Sequence, residues 1–395
     1  MPQSPTPSSI SNDRSLIYFA PVGAGGLAKY AVFQITALAQ LGLNVVVLGA
    51  SHLEQDLKSR APSVEFIPLN EPKPASSKIA RGITWIRKLR SDSRHLRALV
   101  KDRQSNHVLI TCFAEYFSPF WIGQLKALRR QGVRLGTIVH DPVRDFQVGP
   151  NWWHQLCISS AYSVIDVAYV HGDVVLDTGS PKQTVQVCRI PHGPYQVPIT
   201  SRKDPRAAIR ADLKIPQDAK LLLSFGHIRD GKNLDLLIAA LKQVPELHLL
   251  VVGREQSSIQ RPIHSYQDQA QSLNVHDRCH WVNEFVPDDA VSGYFLSADY
   301  VALVYSSDFR SASGVLNLAS QFELPILASA GDGPLKDNIL GYELGVFVQP
   351  DCSEALISGL NQLLIDRPAA KWHDYKKDHS WQANASTISQ TLFDG

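Results

Sequence analysis

Short apolar runs alternate with longer amphipathic segments along most of the chain. The runs have the length and β-branched content of buried strands, whereas the segments repeat their apolar residues every three or four positions. From Leu27, for example, apolar residues follow at Ala31, Ile35 and Leu38, which places them on one helix face. Strands that alternate with helices predict parallel sheets with right-handed crossovers.

The predicted strands fall into two series. The first is predicted at 16–20, 43–48, 64–67, 108–111, 134–139, 163–169 and 184–190, and the second at 221–225, 247–252, 280–282, 300–304, 325–328 and 345–348. Spaced prolines from Pro191 to Pro216 predict a linker between them. We therefore expect an α/β protein with two doubly wound halves and a cleft between the carboxyl ends of their sheets.

Four segments follow from this division. We expect a disordered tail rich in Ser, Pro and Asn, two Rossmann-like domains, and a final helix that returns to the first domain. Their predicted bounds are 1–14, 15–195, 196–375 and 376–395.

Composition narrows the class of protein. The 395 residues are 44 % hydrophobic and 19 % charged, and the formal net charge is only +2, so no nucleic-acid partner is predicted. The five cysteines have no Cys-x-x-Cys spacing and are typical of thiols in a reducing compartment. The chain shows no secretory signal, and its longest apolar runs have strand length. We predict a cytoplasmic protein that at most lies against the inner face of a membrane.

The loop after the strand at 221–225 carries the strongest candidate chemistry. Gly226 opens a turn, and Arg229 and Lys232 follow before a helical pattern that includes Leu236. Cations beside a helix N-terminus bind phosphate well, but without an anion they oppose the helix dipole. The alternative is a pair of solvated cations at a helix start.

A second helix start, at Ser313, Gly314 and Val315, has the same character. Glycine allows backbone N–H groups to approach phosphate oxygens closely, although Ser and Gly are also ordinary helix caps. Two such starts in one half of the chain indicate a nucleoside diphosphate. The chain has no Asp-x-Asp pair, so we expect binding without a metal ion or other cofactor.

The first half contains weaker candidates. A turn at 23–26 is rich in glycine and is predicted to admit substrate to the backbone, with a plain turn as the alternative. His140 and Asp141 follow the strand at 134–139, where cleft residues are expected, although a lone histidine is often structural. For His192, near the linker, a structural role is the stronger interpretation.

The segment 78–103 is basic and amphipathic. Ile79, Ile83, Ile86 and Leu89 define one face of a predicted helix. Its cations include Arg81, Arg87, Lys88, Arg90, Arg94, Arg97 and Lys101, against two acids. The helix is either an ordinary solvated one or a contact for anionic lipid or a lipid-diphosphate acceptor.

An ordered set of motifs carries a family likeness from about Arg206 to Trp381, and a weaker one before it. The first two motifs are Phe-Gly-His-Ile-Arg-Asp-Gly-Lys-Asn at 225–233, and Phe-Val-Pro-Asp-Asp-Ala-Val-Ser-Gly-Tyr-Phe at 285–295 with Ala-Asp at 298–299. The third is Arg-Ser-Ala-Ser-Gly-Val-Leu-Asn-Leu-Ala at 310–319 with Pro-Ile-Leu-Ala-Ser at 325–329. The fourth is Gly-Asp-Gly-Pro-Leu at 331–335, followed by Glu343, Gly345 and Pro350. With them the chain resembles the retaining, family-four type of GT-B glycosyltransferases, or glycosyltransferase group 1.

This resemblance implies two Rossmann-like domains facing a central cleft, the first on the acceptor side and the second binding a nucleotide sugar. The implied activity is hexosyl transfer to a glycan, lipid-linked or small-molecule acceptor, with retention of configuration, as in polysaccharide biosynthesis. The implied catalytic residues are His140, Arg229 and Lys232. The implied donor-binding residues are Gly26, Gly226, His227, Gly253, Arg254, Ser313, Gly314 and Val315, and the implied acceptor-side residues are Gly25 and Asp141.

The chain also departs from the family pattern. Many members carry a Glu-x7-Glu pair at the positions of Arg310 and Leu318, and an arginine at the position of His227. One branch of the family has a Ser-Gly-Val-Leu helix start instead, which this chain shares. Two alternatives therefore remain open: a non-catalytic nucleotide-sugar-binding partner of another transferase, and a GT-B-fold epimerase.

Overall fold

The computed structural model describes residues 14–21, 25–71, 77–111, 113–142, 144, 147, 149–180, 185–255, 260–366 and 369–394. Within them, one sheet is built from β1 (Ser15–Ala20), β2 (Asn44–Ala50), β3 (Glu65–Leu69), β4 (His107–Ile110), β5 (Arg134–Ile138), β6 (Val167–Val170) and β7 (Gln186–Arg189). The strands are parallel and lie in the order β3-β2-β1-β4-β5-β6-β7.

A second parallel sheet follows along the chain. It contains β8 (Lys220–Phe225), β9 (Leu247–Val252), β10 (Cys279–Val282), β11 (Tyr300–Val304), β12 (Ile326–Ser329) and β13 (Gly345–Phe347). Their order is β10-β9-β8-β11-β12-β13. In each sheet the strand order reverses beside the first strand, and a crevice for ligands opens at such a switch point. The two Rossmann-like domains of the GT-B fold are thereby confirmed.

Helices flank both sheets. Those of the first domain are α1 (Gly26–Gln40), α2 (Leu53–Arg60), α3 (Lys78–Arg103), α4 (Ser118–Trp121), α5 (Gly123–Arg130) and α6 (Asn151–Tyr162). The others are α7 (Pro205–Asp212), α8 (Leu234–Ala240), α9 (Ile263–Ser272), α10 (Asp288–Ser297), α11 (Gly314–Ala319), α12 (Pro334–Gly341), α13 (Ser353–Ile365), α14 (Trp372–Asp378) and α15 (Trp381–Phe393). None of the described helices is long and apolar enough to span a bilayer.

The last helix, α15, packs against α1 of the first domain. The Asn384 side chain accepts a hydrogen bond from Gln34 at 2.8 Å and donates one to the Tyr30 hydroxyl at 3.0 Å. All three side chains are fully buried, so these polar contacts satisfy groups that have lost water. The expected helix at 376–395 is in fact two helices, because α14 ends at Asp378 and α15 starts at Trp381. The predicted domain bounds themselves stay predictions.

Eight residues of the expected linker are helical. The chain from Pro205 to Asp212 forms α7, and its fully buried Arg210 donates to the Asp299 carboxylate at 2.9 Å. Arg210 also donates to four backbone carbonyls, which compensates for the burial of its charge. The prolines therefore mark both a loop and the first turn of a helix that belongs to the second domain.

Candidate active site

A cavity of about 610 Å³ lies between the two domains, at the carboxyl ends of their sheets. Glu115, His140 and Asp141 line it from the first domain. Arg229 and Arg310 line it from the second. Three of the sequence-predicted site residues, His140, Asp141 and Arg229, therefore meet in one cavity.

The loops after β8 and β9 touch each other through two glycines. Gly226 has φ +94° and Gly253 has φ +145°, conformations that side chains rarely adopt. A Cβ atom at Gly253 would lie 2.2 Å from the carbonyl oxygen of Gly226, so only glycine fits there. This contact brings the donor-side candidates of the two loops together.

Lys232 lies beneath this glycine turn. Its ammonium donates a hydrogen bond to the carbonyl oxygen of Phe225 at 2.5 Å and would lie 3.4 Å from a Cβ at Gly226. Among the residues that the structure describes, it has no ion-pair partner. Burial, reinforced by the charge of Arg229, lowers the pKa of Lys232 to about 7. A neighbouring anion would reverse this effect by stabilising the protonated form.

Arg229 reaches the cavity over two aromatic rings. Its guanidinium carbon lies 6.0 Å from the ring centroid of Tyr305 and 5.8 Å from that of Phe309. The residue precedes a 3₁₀ turn, and α8 begins only at Leu234, after Asn233 in the left-handed region with φ 46°. The expectation that the two cations stand at the start of a helix is therefore wrong in detail, because this turn separates them from α8.

His227 and Arg254 add further basic side chains to the loops after β8 and β9. The backbone N–H of Ile228 donates to the carbonyl oxygen of Arg254 at 2.9 Å, so the loops continue to pair beyond β8 and β9. Burial, together with the charge of Arg254, lowers the pKa of His227. The Arg254 guanidinium lies 5.8 Å from the ring centroid of Phe285, which is 64 % exposed. An exposed aromatic face thus lies beside the cationic loops.

The start of α11 faces the glycine turn. Val315 Cγ2 would lie 3.6 Å from a Cβ at Gly226. The Ser313 hydroxyl accepts a hydrogen bond from the backbone N–H of Leu316 at 3.3 Å, so the capping interpretation is confirmed. A Cβ at Gly314 would make only an ordinary 3.4 Å contact with the Tyr195 ring. Packing within the protein therefore does not require glycine at position 314.

Tyr195, which no sequence motif singled out, contacts both Gly26 and Gly314. Its hydroxyl donates to the carbonyl oxygen of Gly26 at 3.1 Å, and its ring lies beside Gly314. Around Gly25, with φ 59°, and Gly26, an added Cβ would meet no atom of the described residues within 4 Å. The predicted glycine turn is thus open at these two residues, while residues 23 and 24 lie outside the described part of the chain.

His140 is a neutral side chain in contact with an aromatic cluster. Its ring centroid lies 4.6 Å from that of Tyr30, in an edge-on arrangement, and its Nε2 atom is buried without a partner among the described residues. Burial, with a smaller effect from His192, lowers its pKa to about 3. A neutral imidazole beside the cavity can exchange hydrogen bonds with a hydroxyl group, but it does not serve as a charged acid at neutral pH.

Two further histidines surround the same tyrosine. The rings of His171 and His192 lie 5.3 and 5.0 Å from that of Tyr30, and burial lowers the pKa of both, that of His192 to about 4. His192 Nε2 pairs with the Tyr195 hydroxyl at 3.2 Å and Nδ1 with the Gly193 carbonyl at 2.9 Å. These contacts favour the structural interpretation of His192.

Asp141 takes part in a contact between the domains. Its carboxylate accepts a hydrogen bond from the Ser311 hydroxyl at 2.8 Å, and both residues line the cavity. A second link is an ion pair between Lys29 on α1 and Asp288 on α10. Asp141 therefore helps to hold the second domain against the first.

An ion pair with little exposure to solvent lines the cavity on the side of the first domain, and no sequence motif had pointed to it. Both carboxylate oxygens of Glu115 accept from the Arg144 guanidinium at 2.7 Å, and one also accepts from the Tyr162 hydroxyl at 2.5 Å. All three residues line the cavity. Glu115 comes shortly after β4, so its place beyond a strand end was the available signal.

The two positions that depart from the family pattern differ in the structure. Arg310 is exposed and lines the cavity, whereas Leu318, on α11, is 8 % exposed and packs in the hydrophobic core. Among the described residues Arg310 has no ion pair. In the same part of the chain, no group of three or more His, Cys, Asp and Glu side chains is placed to hold a metal ion.

Comparison with known proteins shows what the second domain is similar to. Residues 205–387 match the family described as glycosyl transferases group 1. A D-inositol 3-phosphate glycosyltransferase of Mycobacteroides abscessus is 26 % identical over 192 residues, 46 % of this chain and 41 % of the relative. A lipopolysaccharide 1,2-N-acetylglucosaminetransferase of Salmonella typhimurium is 30 % identical over 209 residues, 49 % of this chain and 53 % of the relative. The alignments thus span about half, or less, of each of these curated relatives.

Solved structures match nearly the whole chain. HepE of Anabaena, in complex with UDP and glucose, has a TM-score of 0.64 at 15 % identity, covering 96 % of this chain and 95 % of its own. Sucrose-phosphate synthase of Thermosynechococcus elongatus has a TM-score of 0.63 at 20 % identity, covering 96 % and 94 %. The resemblance to GT-B glycosyltransferases is confirmed, and its retaining family-four subdivision stays a prediction. Residues 205–387 thus match the glycosyl transferases group 1 family, and the chain as a whole has the GT-B fold.

Proposed function

We propose that the protein is a glycosyltransferase that moves a hexose from a nucleoside diphosphate sugar to an acceptor held by the first domain. The observation that carries this proposal is the meeting of two loops and one helix start around Gly226, with Arg229, Lys232 and Arg254 beside them. Among the described residues these three cations have no carboxylate partner, and clustered cations without one are stabilised by an anionic ligand.

In this proposal the diphosphate is the leaving group. As the bond between the anomeric carbon and the phosphate oxygen breaks, charge develops on the diphosphate, and Arg229 and Lys232 stabilise it. The backbone N–H groups at Ser313, Gly314 and Val315 add to this stabilisation. The acceptor oxygen bonds to the anomeric carbon, and its proton passes to the leaving phosphate. Attack on the same face retains the configuration without a side-chain nucleophile.

In this proposal, other side chains bind the sugar and the nucleobase of the donor. His140 is neutral and lines the cavity, so it is suited to a hydrogen bond with a sugar hydroxyl. The exposed ring of Phe285 beside Arg254 offers a flat surface against which a nucleobase stacks. In the proposal, Gly226 and His227 from the loop after β8 and Gly253 from the loop after β9 leave the backbone open to the diphosphate.

The acceptor enters from the first domain. Open space at Gly25 and Gly26 admits a substrate to the start of α1, and Asp141 offers a carboxylate at the cavity wall. The acceptor class is a glycan, a lipid-linked glycan or a small molecule, as the names of the two curated relatives exemplify for those proteins. We include in the proposal a cytoplasmic location, contact of 78–103 with the inner face of a membrane, and donor binding without a metal ion.

One observation favours a second candidate. Arg310 and Leu318 stand where many relatives of this type have glutamates, and Leu318 is buried in α11 away from the cavity. A protein with this pattern that bound the donor without transferring its sugar would be a nucleotide-sugar-binding partner of another transferase. Turnover separates the two candidates, because both bind the donor.

The experiment has two stages. A thermal-shift screen with UDP, GDP and ADP identifies the nucleotide, since a ligand at about 100 times its Kd adds roughly 2.7 kcal/mol of stability. Release of that nucleotide from its sugar conjugates is then measured with and without glycan and lipid-linked acceptors. Acceptor-dependent release supports the transferase. Tight nucleotide binding without release of nucleotide from its sugar conjugate favours the binding partner. Hydrolysis or epimerisation of the nucleotide sugar without an acceptor favours the epimerase-type alternative. A protein that binds none of the nucleotides contradicts all three candidates.

A further inference from the structure

Helix α3 presents a continuous line of cations to solvent. Arg87, Arg90, Arg94, Arg97 and Lys101 follow one another at spacings of three and four, which places them on one face. We call them the basic stripe. All but the half-buried Arg97 are exposed. Lys88 does not belong to it, because its ammonium pairs with the buried Asp92 inside the domain.

This stripe is locally strong although the whole chain is nearly neutral. Between Arg87 and Lys101 the only acid is Asp92, and its side chain is 1 % exposed. The predicted apolar face of α3 is only partly buried: Leu89 is 3 % exposed, but Ile83, one turn before Arg87, is 48 % exposed. The stripe therefore continues into an exposed apolar residue at its N-terminal end.

An exposed apolar surface borders the stripe. It consists of Phe117, Phe120, Trp152, Trp153 and Leu156, and we call it the aromatic patch. Trp152, Leu156 and Phe120 are 68, 47 and 43 % exposed, whereas Phe117 and Trp153 are half-buried beneath them. The Trp153 ring lies 5.6 Å from that of Phe120, 5.9 Å from that of Trp152 and 6.4 Å from that of Phe117, which joins the patch into one surface.

One hydrogen bond joins the stripe to the patch, and a second holds the stripe against α5. Arg90 Nε donates to the carbonyl oxygen of Phe120 at 2.5 Å, and Arg97 donates to the Gln124 side chain at 3.1 Å. Helix α3 thus lies along α4 and α5, and α4 carries Phe120. Large aromatic side chains exposed next to arginines combine the two attractions that bind a protein to anionic lipid: interfacial burial of the rings and pairing with phosphate.

The patch also leads to the cavity. Tyr116 lines the cavity, its ring lies 5.7 Å from that of His154 on α6, and the next residue, Phe117, belongs to the patch. We infer that the aromatic patch and the basic stripe form one docking surface for an anionic lipid bilayer, which brings a lipid-linked acceptor to the cavity at Tyr116. The delivery of a lipid-linked acceptor rests on the proposed transferase function, whereas docking to the bilayer does not.

The partner is a bilayer rather than a second copy of the chain, because charge complementarity selects it. The stripe repels an identical stripe, whereas a surface of anionic lipids offers phosphates along its whole length. Rings such as those of Trp152 and Phe120 favour the interface between lipid tails and water. Charge and exposed rings thus select the same partner.

The test is sedimentation of the full chain with vesicles of phosphatidylcholine, with and without phosphatidylglycerol. We expect binding only to the anionic vesicles, and its loss as salt is raised, since screening acts over about 10 Å at roughly 0.1 M. Arg87→Ala and Arg94→Ala should each weaken binding about fivefold. Lys242→Ala, which removes an exposed cation of the second domain, is the matched control and should leave binding unchanged.

The aromatic half of the surface is tested in the same assay. Trp152→Ala combined with Phe120→Ala should weaken vesicle binding at least about tenfold. Ile365→Ala removes an exposed apolar side chain elsewhere, 86 % exposed, and should change nothing. Equal sedimentation with both vesicle types, no sedimentation, or wild-type binding by the double variant would overturn the inference. Self-association that the double variant abolishes, without vesicle binding, would instead assign the patch to a second copy.

A parallel measurement separates this inference from the proposed function. Nucleoside diphosphate binding is followed by thermal shift in the same variants, which lie outside the donor loops and should bind as the wild type does. Vesicle docking without nucleotide binding would contradict the proposed function and keep the docking surface. Nucleotide binding without vesicle docking would overturn the docking surface, together with the membrane contact of 78–103, and would leave the proposed sugar transfer standing. If the patch brings a lipid-linked acceptor to the cavity, the patch variants should transfer less sugar to a lipid-linked acceptor and as much as the wild type to a soluble acceptor. Variants that lose transfer to both acceptors equally, or to neither, would overturn this part of the inference.

Discussion

The ammonium of Lys232 donates a hydrogen bond to the carbonyl oxygen of Phe225 at 2.5 Å, across a turn that begins with Gly226. Among the described residues this carbonyl is its one hydrogen-bond acceptor, and no carboxylate pairs with it. The contact holds a partly buried cation at the end of β8, where its charge is poorly compensated by the protein. Lys232 is therefore placed to respond to an anionic ligand.

Replacing Lys232 tests this role directly. Lys232→Ala should weaken binding of the donor diphosphate at least tenfold, about 1.4 kcal/mol. The fold should survive, because the substitution removes a charge that burial disfavours. Isothermal titration with the nucleotide found by the screen measures the effect, with Lys242→Ala as the control for an exposed lysine of the same domain. Unchanged affinity in Lys232→Ala would remove this residue from the site.

The same lysine predicts a pH dependence of donor affinity. The pKa of Lys232 is lowered to about 7 in the free protein, and a bound diphosphate raises it. Below pH 7 the lysine is protonated in both states, so affinity is highest there. As the pH rises above 7, binding must take up a proton, and affinity should fall by up to about tenfold per pH unit.

UDP-glucose is a suitable probe of this effect, because its diphosphate does not titrate in this range. Titration calorimetry in buffers of different ionisation heat counts the protons taken up. Lys232→Arg should keep its charge and flatten the profile. A wild-type affinity that is constant from about pH 7 to about pH 9 would contradict the prediction.

The start of α11 gives a third prediction. Gly314→Val should abolish sugar transfer, because a branched side chain occupies the space in front of the helix N–H groups that the phosphate needs. The protein should stay folded, since a Cβ at this position makes only an ordinary contact with Tyr195. Gly314→Ala serves as the milder comparison. Wild-type turnover by folded Gly314→Val would show that Ser313 and Gly314 form only a cap.

The contact between the loops after β8 and β9 gives a fourth prediction. Gly253→Ala should destabilise the protein by roughly 3 kcal/mol, because the added Cβ would lie 2.2 Å from the Gly226 carbonyl oxygen and φ is +145°. Gly26→Ala is the matched control, since an added Cβ there meets nothing within 4 Å. Urea unfolding of both variants measures the difference. Equal stability of the two would mean that the loops separate without cost.

The histidines around Tyr30 predict acid sensitivity. Burial lowers the pKa of His140 to about 3, of His192 to about 4, and of His171 well below its usual value. Below about pH 6.5 the unfolded chain binds protons that the folded protein does not, so stability falls as the pH is lowered from there to about 4. Each histidine contributes about 1.4 kcal/mol per pH unit.

Urea unfolding as a function of pH checks this acid sensitivity. His140→Asn should remove one of the three protons that the histidines around Tyr30 contribute to the linkage, and so reduce the slope by about 1.4 kcal/mol per pH unit. Carboxylates titrate in part of the same range in both proteins, so the difference between the two profiles isolates the histidine. Identical proton uptake by the variant and the wild type would show that His140 is protonated in the folded protein.

Much of the architecture could be predicted because it depends on local periodicity. The strand after Arg134 and the helix from Lys78 to Arg103 follow from alternating apolar runs and helical spacings, which neighbouring residues encode. Boundaries were less predictable where capping and turns decide them. The helix after Lys232 starts at Leu234 because Asn233 adopts a left-handed conformation, which no apolar pattern reveals.

By itself, the sequence determined the alternation of strands and helices, the glycines at strand ends, and the cations of the loop after β8. Only the tertiary structure decided which strand ends meet: His140, His171 and His192 follow the neighbouring strands β5, β6 and β7, and Tyr195 joins Gly26 to Gly314 across the domains. The same holds for the aromatic patch, whose residues come from α4, α6 and the segment before α4. The physical reason is that spacing along the chain encodes one element at a time, whereas a site or a surface arises from packing elements distant in sequence.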